Sequence, residues 1–236
     1  MKWQKQGRGA AGFTVVELLV ASVIFSVIIL VALSGFIEIG RLFYKGSIYT
    51  ANQQAARTIT DKVGSDMNAT SSVVGPTATG TGQKRFYCIG NVRYTFTLGQ
   101  VVNLDNHGTT NSSNFGILRD KLPGASSCAD PFSGSSPVPI AVDAAELLGN
   151  RMRLNSFCIT KNTSVSYGNL YAISVNIVTG DDKYITLKTN TSPPLCTATS
   201  SALCNANLSV SQYCAGSDLT TSISATATTA TGDLAN

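Results

Sequence analysis

The chain has 236 residues, of which 43% are hydrophobic and only 13% are charged. This length fits one mid-sized domain with an accessory segment, and the apolar content excludes a chain that is disordered throughout. The net charge of +4 comes from the N-terminal tip, where Lys2, Lys5 and Arg8 precede the first acidic residue. The rest is nearly neutral, so net charge gives no support to a nucleic-acid partner, and that question stays open.

The basic tip is followed by an apolar run over residues 13–37, a length of 25 residues. A bilayer core needs about 20 apolar residues, whereas the core of a cleavable signal peptide has about 7–15. We therefore expect residues 13–37 to span a membrane and to remain on the mature protein. The small residues at 9–12 precede this run, so a cut there would leave the apolar helix in place.

Glu17 lies inside the apolar run, about one helical turn after Phe13. A carboxylate at membrane depth costs about 2.5–3.5 kcal/mol, and the run contains no Lys or Arg to pair with it. A cut after Gly12 would give Phe13 a new α-amino group. On a neighbouring copy, that cation could neutralise Glu17 when helices pack side by side. The alternative is that Glu17 reaches the lipid headgroups.

The string GFTVVELL, from Gly12 to Leu19, resembles the processing site of type IV prepilins and type II secretion pseudopilins. The resemblance implies that a prepilin peptidase removes residues 1–12 and that Phe13 is then methylated. It also implies that Glu17 sets the register of assembly, with other pilin subunits and an inner-membrane assembly platform as partners. The departure is the lack of a proline within the run, where Ser34 and Gly35 stand instead.

Residues 38–68 are expected to continue the same helix as an amphipathic half. Apolar or small residues recur there every three or four positions, which predicts one buried face. These positions are Ile48, Ala51, Ala55, Ile59, Val63 and Met67. Gly75 and Pro76 are then expected to break the chain.

Residues 69–214 are predicted to form a β-rich globular domain, which gives an α+β fold with an antiparallel sheet packed on the helix. Residues 85–89 and 92–98 flank Gly90-Asn91, a two-residue hairpin turn. Further strands are predicted at 117–119 and 153–159, and a second hairpin at 171–178 and 184–188. Residues 144–149 are expected to form a helical turn.

The wider pattern resembles PilW-like minor pilins and J-type pseudopilins, through Ala55-Ala56-Arg57, through residues 92–96 and through Leu118-Arg119. This resemblance, with the length of the chain, favours a low-abundance pilin over the main building block of a filament. It places the chain in the cytoplasmic membrane before assembly and at the cell surface afterwards. The alternative is a membrane-anchored surface binding protein or adhesin that never polymerises.

Six dispersed cysteines predict disulfide bonds in an oxidising compartment, with free thiols in a cytoplasmic protein as the alternative. They are Cys88, Cys128, Cys158, Cys196, Cys204 and Cys214. Six cysteines allow 15 connectivities, and the sequence does not choose among them. We expect the three after Lys188 to tie the C-terminal stretch to the sheet.

Residues 215–236 are rich in Ser, Thr and Ala and are predicted to form a solvated tail, with glycosylation or adhesion as alternatives. Residues 103–108 loosely resemble the start of a calcium loop, but its twelfth position is Asn114 rather than Glu. The one histidine, His107, has no partner that a catalytic or zinc motif would require. We therefore predict no metal, no cofactor and no enzymatic activity.

Overall fold

The computed structural model describes residues 12–70, 72–78, 83–103, 115–122, 128–132, 139–162, 169–205 and 213–225. These residues have an α+β architecture, with one long N-terminal helix and three antiparallel sheets. This confirms the predicted fold class. The chain divides into two compact units, Met1–Phe43 and Tyr44–Asn236. The elements are α1 (Val15–Ala69), β1 (Val73–Ala78), β2 (Lys84–Ile89), β3 (Val92–Thr97), β4 (Ile117–Lys121), β5 (Ala145–Glu146), β6 (Met152–Lys161), β7 (Asn169–Gly180), β8 (Ile185–Thr189), β9 (Ser200–Cys204) and β10 (Cys214–Ala225).

Within the second unit, α1 packs one face against the sheets. Ile59, Val63 and Met67 are fully buried as predicted, but Ala51 is exposed. Its neighbour Asn52 is buried instead. The Asn52 amide donates to the carbonyl of Ala215 at 2.8 Å and its side-chain oxygen accepts from the Thr179 hydroxyl. A polar residue is tolerated on the buried face because its hydrogen bonds are made there.

The first sheet has the strand order β1-β2-β3-β4-β5. The predicted hairpin at Gly90-Asn91 is present, and β2 and β3 pair from Lys84↔Thr97 to Ile89↔Val92. Aromatic side chains of these strands pack with Phe157 and the buried face of α1 in the main core. The helix ends at Ala69, before Gly75-Pro76. The expectation that these two residues interrupt regular structure is nevertheless wrong, because they lie within β1. Proline is accommodated there because β1 is an edge strand with an irregular register between Val74 and Thr77.

The second sheet, β10-β7-β6, corrects the prediction for the C-terminal stretch. Residues 215–225 are not a solvated tail, since β10 pairs with β7 along its whole length, from Cys214↔Gly180 to Ala225↔Asn169. The exposed side chains of β10 alternate with less exposed ones that include Leu219 and Ile223. Many positions of β10 are Ser or Thr, so the alternation of buried and exposed side chains is not visible in the amino-acid composition.

The predicted hairpin of residues 171–178 with 184–188 is also wrong. β7 is already paired with β6 on one edge and β10 on the other, so no edge remains for β8. β8 pairs instead with β9 in a separate two-stranded sheet. The predicted helical turn at 144–149 is replaced by β5, where the Glu146 carboxylate accepts the backbone N–H groups of Gly116 and Ile117 at 2.9 Å each.

Three disulfides join all six cysteines: Cys88–Cys128, Cys158–Cys196 and Cys204–Cys214. The second bond attaches the stretch after β8 to β6, and the third joins β9 to β10. The C-terminal cysteines are therefore tied to the sheets, as expected from their position. A disulfide that closes a loop of some tens of residues contributes about 3–4 kcal/mol by restricting the unfolded chain.

A buried ion pair anchors the segments that cover the outer face of the first sheet. Arg93 and Asp120 lie opposite each other on β3 and β4, are almost fully buried and form a bidentate pair, with one contact of 2.6 Å. The guanidinium also donates to the carbonyls of Ala129 and Pro139, and Asp120 accepts the N–H of Ala141. One pair thus fixes two loop segments to the sheet.

A second polar cluster fastens the end of α1 to the same sheet. Asp66 accepts two hydrogen bonds from Arg119, at 2.7 and 2.9 Å, and a third from the Tyr94 hydroxyl. Burial, together with the hydrogen bond to Asp66, raises the pKa of Tyr94 above its usual value. The phenol therefore stays protonated and remains a donor to the carboxylate at any physiological pH.

The buried pair leads to a prediction for Asp120→Ala. The substitution removes the bidentate Asp120 carboxylate from the buried Arg93 guanidinium, and breaking a buried pair in this way typically costs about 3–5 kcal/mol. Urea unfolding of the full chain in detergent, followed by near-UV circular dichroism, measures the loss. The exposed Asp61→Ala serves as control and should change stability by less than about 0.5 kcal/mol. Equal stability of the two variants would contradict the role given to the pair.

The two faces of β10 lead to a second prediction. Ile223 packs against Gly64 so closely that a Cβ on Gly64 would lie 2.7 Å from its Cδ1, whereas Ser222 is exposed. Ile223→Asp should therefore cost about 2 kcal/mol or more, because it moves a charge into an apolar contact. Ser222→Asp should cost at most about 1 kcal/mol. If the two variants unfold at the same urea concentration, residues 215–225 behave as a tail after all.

Candidate processing and assembly site

The first described residues, Gly12 to Thr14, precede the helix. Phe13 is 84% exposed, and no atom comes within 4 Å of the position that a Cβ on Gly12 would occupy. The peptide bond between Gly12 and Phe13 therefore lies outside the helix, with open space around the glycine. A peptidase binds such a bond more readily than one inside a helix, because helical backbone groups are already hydrogen-bonded to one another.

Thr14 and Glu17 form a capping box that starts the helix. The Thr14 hydroxyl oxygen accepts the backbone N–H of Glu17 at 3.2 Å. In return, Glu17 Oε2 accepts the backbone N–H of Thr14 at 3.0 Å and its hydroxyl at 2.9 Å. Two N–H groups of the first turn are thus satisfied reciprocally, which fixes the helix start two residues after the candidate cleavage point.

The capping box is the part of the site that sequence reasoning missed. The apolar run contains no Lys or Arg that could pair with Glu17, so the sequence points to a cation on another copy. The signal was nevertheless visible, because Thr14-Val15-Val16-Glu17 has the spacing of a capping box ahead of an apolar run. Glu17 therefore has a hydrogen-bonding partner within its own chain, in addition to any partner on another copy.

The apolar part of α1 is exposed along its whole length. An 18-residue window of α1 has a mean hydropathy of 2.9 and none of it is buried, so the helix is long and apolar enough to cross a membrane. The hydroxyls of Ser22, Ser26 and Ser34 each donate to a backbone carbonyl three or four residues earlier, at 2.8 Å. Each hydroxyl is therefore satisfied by its own helix, as a lipid environment requires.

The helix is continuous through Ser34 and Gly35. A Cβ on Gly35 would have no neighbour within 4 Å, and Ser34 bonds back to Val31. The position at which the sequence departs from pilins with a proline is therefore helical in the single chain. Glycine nevertheless lowers helix stability there by about 1 kcal/mol relative to alanine.

The described residues offer no support for a metal site or a reactive thiol. No group of three or more His, Cys, Asp or Glu side chains is placed to hold a metal ion among the described residues. The six cysteines form disulfides, so none provides a thiolate. Most of the loosely calcium-like loop, with His107 and Asn114, lies outside the described residues.

The comparisons with known proteins concern the same N-terminal segment. A family model described as the prokaryotic N-terminal methylation motif matches residues 7–33. This match supports the pilin superfamily and a type IV pilin-like precursor, a structural rather than an enzymatic class. No curated protein and no solved structure matches the chain.

The capping box leads to a prediction for Thr14→Ala. Loss of an N-cap hydroxyl costs about 1 kcal/mol, which corresponds to roughly fivefold faster exchange of the first helical amides. Hydrogen exchange of the Glu17 and Leu18 amides, which are bonded to the Thr14 hydroxyl and carbonyl, measures this effect in detergent micelles. Thr14→Ser keeps the acceptor and should exchange like the wild type. Slow exchange in Thr14→Ala would mean that the helix start does not depend on the capping box.

Proposed function

We propose that the chain is a pilin-like structural subunit, most similar to a minor pilin, of a type IV pilus or related filament. The observation that carries the proposal is the junction at Gly12-Phe13, which lies directly ahead of a capped and fully exposed apolar helix and within the matched methylation motif. In this proposal a prepilin peptidase cuts after Gly12, and the amine of Phe13 is then methylated.

Before assembly, the apolar helix would hold the subunit in the cytoplasmic membrane. Residues 13–37 exceed the roughly 20 residues needed to cross the hydrocarbon core. The disulfide-bonded domain would then lie on the oxidising side of that membrane, where its three bonds would persist. An inner-membrane assembly platform would move the subunit from the bilayer to the filament, which ends at the cell surface.

In the filament, the apolar helices of neighbouring subunits would replace the lipid. Glu17 bonds to Thr14 through Oε2, which leaves Oε1 for a cation on another copy. The amine of a neighbour's Phe13 is the cation that processing would create. Pairing would remove the cost of an unpaired carboxylate in an apolar core, and it would set the axial register of the subunits.

The minor-pilin assignment is supported by the wider sequence resemblance and by the size of the globular domain, which carries three sheets and three disulfides. The rival proposal is a membrane-anchored binding protein or adhesin that does not polymerise. It needs the same apolar helix but gives no role to a free amine at Phe13. The two proposals therefore predict different results for cleavage after Gly12 and for substitutions of Glu17.

The processing step predicts that the surface form begins at Phe13 with one added methyl group, as measured by its intact mass. Gly12→Phe should leave the longer precursor in the membrane. The space around Gly12 is open, so the ring fits in the subunit itself, and the block would arise in the peptidase, which in this proposal accepts only a small residue before the cut. Gly46→Phe, on the exposed helix surface, is a control that should be processed normally. A mature surface protein that still carries residues 1–12 would refute the pilin proposal.

The assembly step predicts a loss of filament incorporation in Glu17→Gln. Glutamine can keep the capping box but removes the charge, so the variant separates pairing from helix capping. Removal of one member of a buried ion pair costs about 3–5 kcal/mol, or roughly a 10²–10³-fold weaker addition of each subunit. The variant should still be cleaved and reside in the membrane, and its amount in sheared filaments is the measurement.

Glu17→Val removes both the charge and the cap, and it should also enter filaments poorly. If Glu17→Gln assembled like the wild type while Glu17→Val did not, Glu17 would act through the capping box alone. If both assembled normally, the pairing proposed for Glu17 would be wrong. Glu38→Gln, an exposed residue at the end of the apolar run, is the matched control and should assemble normally.

A further inference from the structure

Three tyrosines and one lysine form a continuous cluster at the start of the second unit. The rings of Tyr44 and Tyr213 are 5.9 Å apart, and those of Tyr213 and Tyr184 stack at 5.1 Å. The Lys183 ammonium lies 4.7 Å above the Tyr184 ring. Tyr44 is 48% and Tyr213 is 37% exposed, so the cluster presents aromatic surface to its surroundings. We call these four residues the tyrosine cluster.

A disulfide and backbone hydrogen bonds hold two residues of the tyrosine cluster in place. Tyr213 directly precedes Cys214, which is bonded to Cys204 of β9. The backbone of Tyr184 is held on both sides, since its N–H donates to Asp181 at 2.9 Å and its carbonyl accepts from Asn205 at 3.0 Å. Tyr184 also packs against a small buried cluster of Val178, Ala202 and Cys214, whereas Tyr44 and Tyr213 keep exposed ring surface.

Tyr44 lies a short distance along α1 from the apolar run. It follows Ile37, the end of that run, by seven residues, which is a rise of about 10 Å because α1 is helical throughout. The two residues before Tyr44, Leu42 and Phe43, are 63% and 79% exposed, so apolar surface continues beyond Ile37. The headgroup layer occupies about 5–8 Å on each side of the hydrocarbon core. A tyrosine side chain is long enough to cover the remaining few Å, so Tyr44 can reach that layer.

The chemistry of the tyrosine cluster fits lipid headgroups. Tyrosine is enriched at membrane interfaces because its ring is apolar and its hydroxyl stays hydrated. Lysine can reach phosphate from the same position. Around Tyr184 the charges balance, because Asp181 and Asp182 lie beside Lys183 and Arg153, and Asp182 is paired with Arg153. Lys45, which follows Tyr44, adds one positive charge to the cluster. The contact would therefore depend on the aromatic rings more than on net charge.

We propose that the tyrosine cluster is a membrane-surface contact, which rests the globular domain on the lipid headgroups while the subunit awaits assembly. The inference depends on the proposed function, because it needs the apolar helix to be in a bilayer. It adds a second, interfacial contact to that anchor. On entry into a filament the cluster would leave the headgroups, so the contact would favour the membrane-resident subunit.

Fluorescence of the full chain in vesicles tests the proposal. The one tryptophan of the sequence, Trp3, is replaced by Phe, and a single reporter is then introduced. Tyr184→Trp reports on the tyrosine cluster, Leu30→Trp on the apolar helix, and Val142→Trp on an exposed site of the domain. The vesicles contain phosphatidylethanolamine and phosphatidylglycerol, with spin labels on either the headgroup or the acyl chain.

We expect headgroup labels to quench Tyr184→Trp and acyl-chain labels to quench Leu30→Trp, while Val142→Trp keeps its fluorescence with both. High salt should leave the quenching of Tyr184→Trp unchanged. If Tyr184→Trp behaves like Val142→Trp while Leu30→Trp is quenched, the tyrosine cluster does not contact lipid, although the anchor remains valid. Failure to quench Leu30→Trp would overturn the anchor and the contact together. A lipid-free spectral shift of Tyr184→Trp with protein concentration would assign the cluster to a second copy of the chain.

Discussion

Everything in this protein depends on one constraint: the apolar half of α1 is exposed along its length in the part of the chain that the structure describes. A helix surface of this extent is strongly unfavourable in water, because each buried CH₂ group is worth about 0.8 kcal/mol. The segment is built for a non-aqueous environment, since its serine hydroxyls bond to their own backbone and its one carboxylate bonds to Thr14. A lipid bilayer satisfies it, and a bundle of similar apolar helices would do so as well.

The second half of α1 meets the opposite requirement, because it must fit one particular sheet surface. Apolar packing alone permits a helix to slide or rotate, whereas hydrogen bonds to fixed partners do not. Asn52 is bonded to β7 and β10, and Asp66 to β3 and β4. These two contacts, fourteen residues apart on the helix, define its register within the second unit. The globular domain therefore has its own core and its own polar anchors, independent of the apolar segment.

Much of this fold could be predicted from the sequence. The helix, the first hairpin and the strands β6 and β7 follow from strong periodicity and from turn residues. β9 and β10 were not predicted because their buried positions include small or polar residues such as Ala202 and Ser217. Buried and exposed positions in these strands therefore differ little in hydrophobicity. The position of β8 could not be predicted, since it depends on β10 occupying the second edge of β7. Distant strands compete for the free edges of a sheet. The sequence of a single strand therefore does not show which strand it will pair with.

At the N-terminus the sequence predicted the site residues Gly12, Phe13 and Glu17. It did not lead us to predict the hydrogen bonds between Thr14 and Glu17. The resemblance to prepilins implies a partner for Glu17 on another subunit. The capping box, in contrast, joins Glu17 to Thr14 of the same chain. The two roles of Glu17 are compatible, because the capping box orients the carboxylate in the single subunit and assembly would bring a cation to it. A capped Glu17 is pre-organised for that contact and loses less freedom when it forms.

Solid-state NMR on isolated filaments tests the pairing of Phe13 with Glu17 most directly. Filaments would be assembled from this chain labelled with ¹³C-Glu and from the other pilin subunits labelled with ¹⁵N at their N-terminal residue, so that any ¹⁵N–¹³C contact is between subunits. The account predicts a contact between the Glu17 carboxylate carbon and the N-terminal amine nitrogen of a neighbouring subunit, and the reverse labelling predicts the same contact for the Phe13 amine of this chain. Filaments that contain the chain but lack this contact would contradict it.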